Sequence, residues 1–337
     1  MHMPNEVLSP AVAGGFIAAG AAGLAIAAAG ARRSFDESKV PLMGVLGAFV
    51  FAAQMVNFPI LGGTSGHLGG GVLLAILLGP HATALVMAAI LTVQCLLFYD
   101  GGLLALGCNT VNMGLVAPYV GYAAYRAILG RPNGGKSVGR LYLASFAGGL
   151  VGVAASAALV PVQIALSGRS AVPFTTFFPI MVGVHLLIGA VEGLVTFAVV
   201  LYVAQVRPDA LEVRVARRER VSRGALAASF GLFALVTAGF LSLAASGLPD
   251  GLEWLTAEKG YAVSAEQAHA TDRVAAQTSA WQESSAPFPD YSVRGENPAK
   301  HWTSIAGISG TLVTLGMVYG IAVAVRRRGK QSVIRNP

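Results

Sequence analysis

The feature that most constrains this chain is a series of apolar stretches that recur from Pro10 almost to the C-terminus. Each is long enough to cross a bilayer, because about 30 Å of hydrocarbon requires about 20 helical residues. Alanine-rich runs such as residues 18–29 show no two-residue alternation, which favours helices over a barrel of strands. With 55% hydrophobic and 12% charged residues, the chain is predicted to be an all-α integral membrane protein.

The apolar stretches predict nine spans, separated by charged or glycine-rich breaks. They cover residues 10–31, 40–58, 67–79, 81–98, 103–126, 140–167, 173–206, 225–246 and 303–325. In this arrangement most of the 23 basic residues face the cytoplasm, as the positive-inside rule requires. We therefore expect a bacterial cytoplasmic membrane protein with its N-terminus outside and its C-terminus in the cytoplasm. The net charge of +7 is explained by contact with anionic membrane lipid, and no nucleic-acid partner is expected.

The chain begins Met1-His2-Met3, and a free amino terminus followed by histidine is a chelating group for transition metals. If nothing precedes Met1, its α-amine and the backbone nitrogen and Nδ1 of His2 enclose one ion in fused rings. His67, in the glycine-rich loop 62–71, is the candidate for a fourth nitrogen ligand. Square-planar nitrogen ligation suits Ni(II) or Cu(II). The alternative is a solvated terminal histidine without a metal role.

Two asparagines begin a predicted helix on the same outer side as His67. Asn109 and Asn112 either hydrogen-bond the second nitrogen of a ligating imidazole or cap the helix after its glycines. Both interpretations remain open from the sequence.

Polar and sulfur-containing side chains within the spans also have two interpretations each. Glu192 and His185 lie deep in one span and form either a satisfied polar pair or part of a transport route. Cys95 and Cys108 lie near the outer ends of spans, where they either pack as small apolar side chains or form a disulfide or soft-metal site.

Several motifs can be compared with known families. They are the Met1-His2 start with Leu8-Ser9-Pro10, Val40-Pro41-Leu42-Met43-Gly44, Phe49-Val50-Phe51-Ala52-Ala53-Gln54-Met55, Gly63-Thr64-Ser65-Gly66-His67-Leu68, Tyr99-Asp100-Gly101-Gly102-Leu103 and Asn112-Met113-Gly114. Together they resemble the substrate-capture (S) component of energy-coupling factor (ECF) transporters for nickel or cobalt, the NikM/CbiM family. Farther along, Leu248-Pro249-Asp250-Gly251-Leu252-Glu253 resembles the signature of the small NikN companion subunit, here fused to the first.

The resemblance implies three regions. They are a metal-binding S-component bundle of about seven helices at 1–206, a basic cytoplasmic linker at 207–224, and a NikN-like region at 225–330. The last region is expected to contain two transmembrane helices, 225–246 and 303–325, on either side of an external loop domain, 247–302, and to end in a cytoplasmic tail.

The resemblance also implies that Met1, His2 and His67 bind the metal ion. The start of family members usually continues with an Asp-Gly pair, whereas this chain reads Pro4-Asn5-Glu6. Glu6 is therefore a candidate support for the ligands in place of that aspartate, and Ser65, in the loop that contains His67, is another candidate support.

The function implied is capture and uptake of Ni(II), with Co(II) possible, together with a transmembrane coupling (T) subunit and cytoplasmic ATPase subunits. The chain itself is not expected to be an enzyme. Its loop 130–137 matches the letters of a phosphate-binding P-loop, but it lies between two spans instead of after a strand. The alternatives are a cobalt-specific S component for cobalamin synthesis, an ion-coupled secondary metal transporter, and a metal sensor without transport.

Overall fold

A computed structural model describes residues 2–33, 40–60, 62–130, 137–170, 172–207, 211, 221–254, 273–293 and 300–335. These residues are mostly helical, which confirms the predicted all-α membrane class. Within them, five helices are long and apolar enough to cross a membrane: α1 (Pro10–Arg33), α4 (Pro80–Phe98), α7 (Val138–Leu166), α8 (Phe174–Val206) and the segment Trp302–Arg326 of α12 (Lys300–Arg335). Two shorter apolar helices are α2 (Val40–Gln54) and α9 (Arg223–Gly239).

The other elements are short. In the first region they are β1 (Phe58–Ile60), β2 (Thr64–Gly66), α3 (Gly71–Leu78), α5 (Leu106–Asn109), a π-helical turn (Thr110–Val116) and α6 (Ala117–Leu129). The second region adds a 3₁₀ turn (Leu241–Ala244), α10 (Gly251–Glu253), α11 (Arg273–Ser285) and another 3₁₀ turn (Pro289–Tyr291).

Several predicted spans differ from the structure. The span 40–58 ends as a helix at Gln54, and 103–126 is divided into α5, the π-helical turn and α6. The third, 67–79, contains only the eight-residue α3, which rises about 12 Å and is too short to cross about 30 Å of hydrocarbon alone. The predicted helix 225–246 instead begins at Arg223, where the Ser222 side chain caps it, and ends at Gly239 before a separate 3₁₀ turn.

Glycines let the helices of the first region approach closely. A Cβ atom at Gly149 of α7 would lie 2.5 Å from the backbone nitrogen of Gly193 in α8. Similarly, a Cβ atom at Gly121 of α6 would lie 2.8 Å from the carbonyl oxygen of Gly148. Small residues at helix crossings are typical of membrane bundles, where close van der Waals contact drives association.

The second region packs directly on the first. Helices α9 and α12 both contact α2, and α12 also contacts α4. The contacts are close, since a Cβ atom at Gly47 of α2 would lie 3.0 Å from Val318 Cγ2 of α12, and one at Gly310 would overlap the Phe51 ring. The segment that follows α9 is thereby carried to the side of the bundle where the loop containing His67 lies.

Candidate metal-binding site

A short hairpin and a glycine loop present His67. Strands β1 and β2 pair antiparallel, with Phe58 opposite Gly66, and Gly62 and Gly63 form the turn between them with φ values of 87° and 79°. Such values favour glycine because it has no Cβ atom. His67 follows β2 immediately, so the hairpin fixes where its backbone lies.

The structure brings His2 next to His67. Their ring centroids lie 5.2 Å apart, and the ring planes differ by 13°. The two residues come from segments 65 positions apart in the chain, so the pairing is a tertiary contact. Met1, the other predicted ligand, lies outside the described residues.

One ring nitrogen of His67 is engaged, and the other has no protein partner in the described part of the chain. Nδ1 lies 3.0 Å from the carbonyl oxygen of Leu68 and donates to it as the neutral tautomer, whereas Nε2 is buried without a hydrogen bond there. Burial, followed by the charge of nearby groups including His2, lowers the pKa of His67 to about 3. The ring is therefore neutral at physiological pH, with its Nε2 lone pair free for a metal ion.

Both ring nitrogens of His2 face acceptor oxygens. Nδ1 lies 3.0 Å from Asp100 Oδ1, and Nε2 lies 3.1 Å from Gln94 Oε1. The second carboxylate oxygen of Asp100 accepts a hydrogen bond of 2.6 Å from the Tyr291 hydroxyl. Burial alone raises the pKa of Asp100, but the charge and hydrogen bond of His2 and the hydrogen bond from Tyr291 outweigh burial and hold this pKa below its ordinary value.

Two buried amide side chains connect the two histidines. Gln94 Nε2 donates to Gln54 Oε1 at 2.8 Å, and Gln54 Nε2 donates to the carbonyl oxygen of Gly69 at 2.7 Å. A continuous hydrogen-bonded path therefore runs from the His2 ring to the loop that carries His67. We did not predict Gln54 and Gln94 as site residues; the available signal is that both are amides within apolar spans, where polar groups require partners.

The two predicted asparagine supports hold other groups instead. Asn109 accepts from the backbone N–H of Met3 at 2.9 Å and donates to its carbonyl oxygen, so it clamps the chain beside His2. Asn112 and Gln163 exchange two hydrogen bonds of 2.8 Å. Neither asparagine is hydrogen-bonded to an imidazole, and neither side chain caps a helix start: Asn109 ends α5 and holds Met3, whereas Asn112 lies in the π-helical turn and holds Gln163.

Ser65 connects the hairpin to the second region. Its N–H donates to the carbonyl oxygen of Pro249 at 2.8 Å, its hydroxyl donates to that of Leu248 at 2.6 Å, and it pairs in parallel with Asp250. The Pro-Asp-Gly-Leu-Glu motif thus lies against the strand that leads to His67. Ser65 therefore holds the strand next to His67 against the second region, and its role as a support for a metal ligand stays a prediction.

Helix α11 of the second region covers the N-terminal segment. Asn5 Nδ2 donates to Ser279 Oγ at 2.9 Å and to Gln282 Oε1 at 3.1 Å, and the Ser279 hydroxyl donates to the Glu6 carboxylate. The predicted support Glu6 therefore anchors this segment to α11, four residues beyond His2.

Glu192 and His185 do not pair with each other. The Glu192 carboxylate accepts from the Gly69 N–H at 2.7 Å, and His185 Nδ1 lies 2.8 Å from the Met181 carbonyl oxygen.

Cys95 and Cys108 are free and buried, so the disulfide alternative is wrong.

A cavity of about 390 Å³ opens beside the paired histidines. Four acidic side chains line it together with both rings: Asp100, Asp250, Glu253 and Asp290. In the described part of the chain, no three His, Cys, Asp or Glu side chains are placed to hold a metal ion together.

The helical bundle and the second region packed on it define a multi-pass helical membrane protein. The model of the CbiM family, described as "Cobalt uptake substrate-specific transmembrane region", matches residues 2–210, and a PDGLE domain matches residues 224–327. The chain belongs to the CbiM family and carries a PDGLE domain, which confirms the predicted resemblance.

Individual relatives share both regions. The putative fused nickel transport protein NikMN of Archaeoglobus fulgidus is 35% identical over 95% of this chain and 98% of its own length. The fused nickel transport protein NikMN of Rhodobacter capsulatus is 30% identical over 98% of this chain and 100% of its own length. The crystal structure of a truncated transition metal transporter is 35% identical, covers 60% of this chain and 98% of its own, and superposes with a TM-score of 0.52.

Proposed function

We propose that this chain captures Ni(II) on the outer side of a bacterial cytoplasmic membrane, as the S component of an ATP-driven ECF transporter. The observation that carries the proposal is the side-by-side placement of His2 and His67, with the buried Nε2 of His67 free of a partner among the described residues. The names of the fused relatives support nickel as the substrate.

The proposed ligands are the Met1 amine, the His2 amide nitrogen and Nδ1, and His67 Nε2. Four nitrogens in a plane suit Ni(II), and Co(II) is the second candidate substrate. Binding requires that Nδ1 of His2 leave Asp100, its partner at 3.0 Å. The carboxylate then remains beside the ion, where its negative charge favours the cation. The proposal also requires that Met1 be the true, unblocked terminus, which intact-mass measurement of the purified protein tests.

The partners in this proposal are a T subunit in the membrane and ATPase subunits in the cytoplasm. One surface that suits a helical partner is the outward face of α1, where Ala18, Ala22, Ala25 and Ala29 are exposed. Small side chains at this spacing allow another helix to approach closely. We assign no enzymatic activity to the chain itself.

The test is to count nickel and cobalt per purified chain by mass spectrometry of the metals. Three proteins are compared: the native N-terminus, a variant with two residues added before Met1, and a matched control with two residues added after Pro337. We expect about one nickel per chain in the native protein and control, and none in the N-terminal variant. Equal nickel in all three contradicts the terminal chelate, and no metal in any of them contradicts the capture function.

A further inference from the structure

Glu192 lies in the middle of α8, directly against the loop that carries His67. Its side chain is 2% exposed, and its Oε2 accepts a hydrogen bond of 2.7 Å from the Gly69 N–H. The N–H groups of Gly70 and Val72 also interact with this carboxylate. The contact is close enough that a Cβ atom at Gly69 would lie 2.9 Å from Oε2.

This arrangement satisfies two buried groups at once. Helix α3 is buried along its whole length, so the N–H groups of its first turn have no water to bond. A buried carboxylate likewise needs hydrogen-bond donors, since an unpaired charge in an apolar interior is costly. Glu192 supplies the acceptor, and the N–H groups at the N-terminus of α3 supply the donors.

The Glu192 contact also fixes the backbone beside His67 from one side, while Gln54 fixes it from the other. Glu192 binds the N–H of Gly69, and Gln54 binds the carbonyl oxygen of the same residue. The preceding carbonyl group, that of Leu68, is the one that accepts from His67 Nδ1. The orientation of the imidazole therefore depends on peptide groups that Glu192 and Gln54 hold.

We infer that Glu192 is a positioning residue for the metal site: it holds the loop 67–70 so that His67 Nε2 faces the bound ion. This inference rests on the proposed capture function. It assigns Glu192 a fixed acceptor role, in contrast to the proton- or ion-carrying role that a secondary transporter requires. In this role the position of the Glu192 carboxyl oxygen determines the effect on the loop, and proton uptake by the carboxyl group has no part in it.

Three substitutions separate the two roles. Glu192→Gln keeps an acceptor oxygen at the same distance but cannot carry a proton. Glu192→Asp keeps the charge but shortens the side chain by one methylene, so the oxygen no longer reaches the Gly69 N–H. Glu192→Leu removes the acceptor altogether. Thr196→Val, one turn along the same helix and equally buried, is the matched control.

Ni(II) affinity is measured by calorimetry on the purified full chain, with the visible absorption spectrum of bound Ni(II) reporting the ligand geometry. We expect Glu192→Leu to weaken binding by about 10- to 100-fold, as loss of supporting contacts around metal ligands does, and to shift the spectrum. Glu192→Gln should stay within roughly threefold of the native protein, since a neutral hydrogen bond replaces a charge-assisted one. Glu192→Asp should resemble the leucine variant, and Thr196→Val the native protein.

The inference is wrong if Glu192→Leu binds Ni(II) with the affinity and spectrum of the native protein. It is also wrong if Glu192→Gln is as defective as Glu192→Leu while Glu192→Asp behaves like the native protein. A folded native protein that binds no Ni(II) would instead contradict the proposed function, so the two failures are distinguishable. If Glu192→Leu does not fold, the glutamine and aspartate variants alone decide between the two roles.

Discussion

Replacing Gln282 by alanine tests whether α11 holds the N-terminal segment at the metal site. Gln282 is 1% exposed, and both ends of its amide are engaged. Its Nε2 also lies 3.3 Å from Cys95 Sγ, beside four hydrogen bonds with nitrogen and oxygen atoms. The side chain accepts from Asn5 Nδ2 at 3.1 Å and from the Leu103 N–H at 2.9 Å, and it donates to the carbonyl oxygens of Cys95 and Gly101, both at 2.8 Å. One side chain of α11 thus joins three separate segments of the first region to this helix.

The size of the effect follows from these four contacts. At about 1 kcal/mol of net stability per hydrogen bond, Gln282→Ala weakens the attachment of α11 by about 4 kcal/mol. Water that enters the space left by the amide reduces the loss to roughly half. Because about 1.4 kcal/mol corresponds to a tenfold change in an equilibrium constant, the population in which α11 is detached rises by about 30- to 700-fold.

Hydrogen–deuterium exchange on the purified full chain measures this detachment directly. We expect faster exchange in α11 and in residues 2–9 for Gln282→Ala, together with weaker Ni(II) binding, because the segment carrying His2 loses its cover. Gln277→Ala is the control, since Gln277 is the same residue type, on the same helix, but exposed. Identical exchange in the two variants would refute the proposed attachment.

Three further predictions concern protons, a hydroxyl group and the linker. Ni(II) affinity should fall by at least about 100-fold per pH unit below pH 7, because the terminal amine and the His2 amide each lose a proton on binding. The pKa of His67 is about 3, so its ring carries no proton to lose when Ni(II) binds between pH 5 and 7. His67→Ala should therefore not change the number of protons released on Ni(II) binding, which calorimetry in two buffers counts. Tyr291→Phe should lower the free energy of unfolding by about 1 kcal/mol, because the hydrogen bond to Asp100 is lost. Tyr291→Ala should lower it further, because the Tyr291 ring stacks on Phe98 with 4.6 Å between ring centroids. Thermal denaturation compares the two variants. A chain divided within residues 207–224 should copurify as two pieces in detergent, and separation of the pieces by chromatography would contradict the packing of α9 and α12 on α2.

The long helices could be predicted because length and hydropathy alone determine them. Helix α1 covers Pro10–Arg33 where 10–31 was expected, and α8 covers Phe174–Val206 where 173–206 was expected. The hairpin was missed because strands of three residues are too short to show an alternating pattern. The third span differs because residues 67–70 form a loop, so that α3 begins only at Gly71.

The candidate site was only partly predictable. His2 and His67 were identified from the chemistry of the terminus and the loop, and the structure places their rings together, while metal binding itself stays a prediction. The partners of these rings were not identified, because Gln94 and Asp100 reach His2 across more than 90 positions of sequence. Glu192 and His185 were considered as a pair, yet the carboxylate accepts from the Gly69 N–H of the neighbouring loop, and His185 Nδ1 faces the Met181 carbonyl oxygen.

The two regions contribute to the support of both proposed histidine ligands. Asp100, which contacts His2, is itself held by Tyr291 from the second region. Strand β2, which leads to His67, is hydrogen-bonded to Leu248 and Pro249 of the same region. The first region therefore supplies every proposed ligand, whereas the second region restrains the segments that carry them. Changes in the second region should consequently alter how tightly and how fast the ion is bound, and leave the set of ligand atoms unchanged.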